Sequence, residues 1–157
     1  MQIEAEQTFT LEFPGTPSEA LAFLHDPARS LTGVRFLRDL EVSGADLRAV
    51  LLVNVPMLGE IELPLYSRLV QTAQGARLEP QPLTGERAWI ELNGEATAAG
   101  RLLSYVFRFT AHIEMPSAEK WGGAAFEKMV RAAAERTLNR LARELPEGMV
   151  RGYTYPD

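Results

Sequence analysis

Few side chains in this sequence are of types and spacings that do chemistry. It contains no cysteine, which removes thiol nucleophiles, disulfides and cysteine-based metal sites together. His112 and Glu114 share one face of a strand, and a His-x-Glu pair can supply two metal ligands. No third donor stands at a recognisable spacing, so an exposed strand face is the expectation and no metal is assigned. The other histidine, His25, precedes Asp26-Pro27 at a helix end, where a cation favours the helix dipole. No Ser-His-Asp order or phosphate-binding glycine loop is present. No catalytic residue and no cofactor are therefore expected, and the chain reads as leaning away from an enzyme.

The more informative polar residues are those on rows that otherwise read as buried, because burying them unpaired is costly. Gln7 falls between Ala5 and Phe9, Arg38 shares parity with Phe36, Leu40 and Val42, and Ser67 shares parity with Leu63 and Leu65. Tyr105 opens a row that continues with Phe107, Phe109, Ala111 and Ile113. Such a set suits the polar end of an otherwise apolar ligand, with Arg38 pairing a carboxylate. The alternative is that Arg38 lies at a rim or past a bulge while Gln7 and Ser67 satisfy local backbone groups.

These rows need strands to position them. IEAEQTFTLEF alternates cleanly at the start of the chain, and SYVFRFTAHIEM does so again at 104–115, the period of half-buried strands. Between them Thr16, Pro17 and Glu19 open a short helix over about 17–26, ended by Pro27. Turn signals at SGAD, MLGE, QGA, PLTGE and TAAG then divide a meander of about six strands, near 32–42, 47–56, 59–72, 76–81, 87–97 and 101–115. After Pro116 the period changes to three and four. From a cap at Ser117, residues including Trp121, Phe126, Met129, Val130, Leu138 and Leu141 mark a long helix reaching Pro146. The tail at 146–157 is polar enough to be loose, with Tyr153 and Tyr155 able to pack back.

The composition agrees with one α+β domain over 1–157, its core at about 2–145. At 46% hydrophobic and 24% charged the chain has an ordinary globular make-up, and no run approaches the roughly 18 apolar residues of a membrane span. MQIEAEQTF has neither a basic n-region nor an apolar h-region, so a signal peptide is not expected and the cytoplasm is the default location. A net charge of −5 argues against nucleic acid. The arginine-rich, alanine-rich usage points to a GC-rich bacterial source. Val50 and Leu52, joined by Val106 and Tyr66, are expected on the outer sheet face, where an apolar patch suits a homodimer.

The order strand, short helix, six-strand meander and long helix resembles the helix-grip superfamily, also called START-like or SRPBCC. The stretches that carry the resemblance are PSEALAFLHDPARSLTGV, a short helix ending in a proline turn, and the helix GGAAFEKMVRAAAERTLNRLAREL after the last strand. It implies a curved antiparallel sheet of about seven strands gripping the long helix, and a cavity between them for an apolar or amphipathic small molecule. The hydrocarbon part would lie against Phe36, Tyr105, Phe107, Phe109, Phe126, Met129 and Val130, with Gln7 and Arg38 at its polar group. Two other readings stay open. One is a cyclase- or hydrolase-like enzyme using Tyr105 or Arg38; the other is an interaction module with a filled core.

Overall fold

In the computed structural model, which describes residues 1–56, 58–114 and 123–153, the alternating segments form one seven-stranded antiparallel sheet. The strands are β1 (Gln2–Glu12), β2 (Leu37–Ser43), β3 (Asp46–Val55), β4 (Gly59–Gln71), β5 (Gly75–Pro80), β6 (Ala88–Ala99) and β7 (Leu102–Ile113). Their order is β1-β7-β6-β5-β4-β3-β2, so each meander strand lies beside the next and β1 closes onto β7. Phe9 stands opposite Tyr105 and Gln7 opposite Phe107, while Gly94 and Ala96 face Phe107 and Tyr105 from β6.

Helix α1 (Pro17–Leu24) starts as its sequence requires, with Pro17 at the first position and the Thr16 hydroxyl accepting from the Glu19 amide. Pro27, expected to stop this helix, opens a second one instead. Asp26 caps the single turn α2 (Pro27–Ser30), because a proline that breaks one helix is pre-set for the first position of the next. His25 does more than face a dipole. Its Nε2 lies 2.7 Å from the Gly75 carbonyl and 3.3 Å from that of Thr72, which ties the end of α1 to the β4–β5 turn.

The long helix α3 (Ala124–Arg143) buries Phe126, Val130, Ala134, Leu138 and Ala142, a stripe of four-residue spacing. It packs against β1 and β3, which stand near opposite edges of the sheet, so the sheet curls around it. Its expected start at Ser117, with Trp121, lies outside the described residues, as does Tyr155. At the other end the described part of the tail is helical rather than loose. Residues Leu145–Arg151 form a last short helix, α4, with Leu145 and Met149 buried.

Helix α4 docks by backbone contact. A Cβ on Gly33 would lie 2.3 Å from the Gly148 carbonyl, and one on Gly148 would lie 2.9 Å from the Val34 Cα, so both positions exclude larger side chains. The Arg151 Nε donates to the Gly33 carbonyl at 3.0 Å. Arg29 donates to the carbonyls of Gly152 and Tyr153 at 3.1 and 2.5 Å. Among the described residues no helix is long and apolar enough to cross a membrane.

Candidate functional site

Space opens inside this fold where small residues face large rings. On the inward rows of β5 and β6 stand Ala76, Gly94 and Ala96. A Cβ on Gly94 would meet the Phe107 ring at 3.0 Å, so the absent side chain is what lets that ring lie over β6. Opposite it, Phe9, Tyr105 and Phe107 stack as a ladder, with centroid separations of 5.0 Å for Phe9–Tyr105 and 5.8 Å for Tyr105–Phe107.

Leu24, Pro27, Ser30 and Leu31 of the α1–α2 segment close this space from above, and Met149 of α4 closes one side. The cavity is about 30 Å3, enough for two or three waters at the ~10–15 Å3 that each needs. It lies under α1 and α2 rather than under α3. Among the described residues, the gap between the sheet and α3 that Ile3, Val53, Leu63, Ala134 and Leu138 line is about 10 Å3. That interior is packed, as dense protein cores are.

Of the residues singled out in the sequence, Tyr105 and Phe107 line the cavity. Phe36, Phe109, Phe126 and Val130 are buried in the core away from it, with the Phe36 and Phe109 rings edge-on at 6.2 Å. Gln7 is half-buried beside the Phe107 strand position. Two orientations differ from expectation. Arg38 is exposed: Asp39 adopts a φ of 54° and the β2–β3 register shifts between Arg38 and Glu41. This bulge puts Leu37 inward in its place. Met129 is 50% exposed, one residue off the buried α3 stripe and so rotated away from it by about 100°.

Ser67 is fully buried, and its Oγ donates to the Leu92 carbonyl at 2.8 Å. Strand β5 ends at Pro80, opposite Ser67, so the hydroxyl supplies the bond that the missing strand cannot. His112 pairs not with Glu114 but with Glu91 across the β6–β7 ladder, at 2.5 Å, and stacks on Trp89 at 4.4 Å. No group of three potential metal ligands occurs among the described residues. The outer-face apolar residues do not form one patch either. Val50 and Leu52 are on β3 and Val106 is on β7, four strands away, or nearly 20 Å at ~4.8 Å per strand. The Tyr66 ring is covered by the Arg48 guanidinium at 3.8 Å.

One of the cavity's polar groups is a hydroxyl with no partner. Tyr105 is 2% exposed, and its Oη is buried without a hydrogen bond, as is that of Tyr153. Burial holds the Tyr105 phenol far above its ordinary pKa of 10.0, with a smaller push from Tyr153. Burial also raises the Tyr153 phenol, whose ring packs edge-on against Phe13 at 5.2 Å and Phe23 at 5.3 Å. Sequence reading missed the α1–α2 and α4 contributions to this site. Their signals were present in the Leu24/Leu31 and Leu145/Met149 pairs, and in the small-residue run NGEATAAG of β6.

Solved structures share this architecture at low identity. One from Thermus thermophilus is 16% identical, with a TM-score of 0.57 over 98% of this chain and 100% of its own. The Zhui aromatase/cyclase from a Streptomyces species (R1128) is 15% identical, with a TM-score of 0.56 over 97% and 94%. A conserved protein from Geobacillus kaustophilus is 15% identical, with a TM-score of 0.52 over 96% and 91%. At these identities the likeness is one of fold, that of a sheet gripping a helix. No curated protein matches the chain. A family model does, over residues 8–143, and its description is a protein of unknown function, DUF3809.

Proposed function

The chain belongs to that family, and we propose that it is a single START-like domain binding an apolar or amphipathic small molecule in the cleft under α1 and α2. The observation that carries this reading is the Tyr105 hydroxyl, buried and unpartnered on the wall of a mostly apolar cavity. Buried hydroxyls in native proteins are nearly always satisfied, and leaving one bare costs about 1–3 kcal/mol. A bound molecule supplies the missing partner, while Phe107, Leu24, Leu31 and Leu78 cover its hydrocarbon.

Ligand pockets commonly enclose about 300–1,000 Å3, so binding requires the cleft to widen from its 30 Å3. The parts suited to move are Met149, an unbranched side chain that repacks readily, and the short α1–α2 segment above it. A shared fold hosts unrelated functions, so this reading rests on the site, with the aromatase/cyclase likeness as support from analogy. The residues offer a binding wall and no general base, since the raised Tyr105 phenol holds its proton.

Native mass spectrometry of gently purified protein tests the reading. A mass excess that disappears on denaturation is the expected result. A bare chain that toluene also fails to stabilise against heat would remove it.

A further inference from the structure

The walls of the cleft carry information about the charge of what enters it. Its polar side chains are the hydroxyls of Ser30 and Tyr105. Arg77 and Glu95 border it, but both are exposed, and they alternate with the inward-facing Ala76, Leu78, Gly94 and Ala96. Their charged ends therefore leave from the opposite side of the sheet. The nearby Arg29 guanidinium donates to the Gly152 and Tyr153 carbonyls and lies over the Phe13 and Phe23 rings. Among the described residues nothing inside the cleft offers an opposite charge to a carboxylate or an ammonium group, and burying an unpaired charge is far costlier than burying a neutral dipole.

A neutral donor stands there without an acceptor instead. The Tyr105 hydroxyl is buried and unpartnered on the cleft wall. A carbonyl oxygen accepts from a hydroxyl and carries no net charge into the cleft.

Resting on the binding site proposed above, we propose that its ligand is uncharged and presents a carbonyl oxygen to the Tyr105 hydroxyl. Acids and amines of the same hydrocarbon shape are excluded. Selectivity then comes from what the cleft withholds as much as from what it offers.

Four one-ring probes test this at neutral pH: acetophenone, ethylbenzene, benzoate and benzylamine, each titrated into 15N-labelled protein. Acetophenone is expected to shift the amides of Leu78, Gly94, Ala96 and Tyr105, and to bind at least about fivefold tighter than ethylbenzene, the yield of one neutral hydrogen bond. Benzoate and benzylamine are expected to produce no saturable shifts there. In Tyr105→Phe the advantage of acetophenone over ethylbenzene should vanish while ethylbenzene binding persists. If that variant does not fold, the wild-type ranking of acetophenone over ethylbenzene, with benzoate and benzylamine silent, serves alone. Equal binding of acetophenone and ethylbenzene, or preference for benzoate, overturns the ligand class and leaves the site standing. Absence of saturable shifts with all four probes overturns the site itself and this inference with it.

Discussion

Tyr105 is the residue at which stability and binding pull apart. Its hydroxyl is buried without a partner, so Tyr105→Phe should leave the ligand-free protein as stable or more stable, by up to about 1 kcal/mol. Urea titration measures this, and a loss above that size would show that the hydroxyl has a native partner. The same residue sets an alkaline limit. An acid whose folded-state pKa is raised contributes stability below its unfolded value of 10.0, and that contribution falls as pH climbs beyond it. Wild-type stability should therefore drop steeply above pH 10, and Tyr105→Phe should flatten that limb in a pH series of melting curves. Ser67 shows the opposite case, since its hydroxyl is satisfied. Ser67→Ala orphans the Leu92 carbonyl and should cost about 1–2 kcal/mol. Ser67 and Tyr105 both sit on inward rows of the sequence pattern, and nothing in that pattern tells the paired hydroxyl from the bare one.

At the scale of elements, the closing helix depends on a few fasteners. Arg29 reaches from α2 to two carbonyls just past α4, and Gly33 and Gly148 allow the backbones to touch. Arg29→Ala should destabilise the protein by about 1–3 kcal/mol, through charged hydrogen bonds and lost ring contact. It should also speed amide exchange selectively over 145–153, with α3 and the sheet protected as before. Uniform loss of protection would mean that α4 folds as one unit with the core rather than as a separately docked piece. The strands were legible because a period of two is hard to mistake, and each of the six meander strands lies within a few residues of its expected place. The exception is the start of β2, expected at 32 and found at Leu37, because residues 31–36 form turns after α2. The bulge at Asp39 was not legible. A single positive φ reverses the facing of Arg38 without changing any residue type.

Over the whole molecule, the two parts of the sheet's inner face, one under α3 and one under α1 and α2, differ in how they tolerate change. The interior gripped by α3 is full, so Leu138→Ala, at a residue 3% exposed, should cost about 2–5 kcal/mol as a new cavity opens. A much smaller loss in urea unfolding would show that the core collapses to fill the gap. Curling also explains why α3 meets β1 and β3 together while α1 covers β5 and β6. The middle of the sheet is left to the short helices, and the cleft lies there.

The sequence by itself determined the fold class, the strand meander, the helix that grips it and the aromatic row from Tyr105 to Phe109. Those features follow from local periodicity and from turn and cap residues, which act over a few positions. Tertiary structure alone decided where space remains. It filled the volume under α3 with Phe109, Val130 and Leu138, and it left a gap where Ala76, Gly94 and Ala96 face the rings of β7. It also brought Leu24 and Met149, more than a hundred positions apart, to the same wall. Packing volume is a sum over residues distant in sequence, and no periodicity along the chain encodes it.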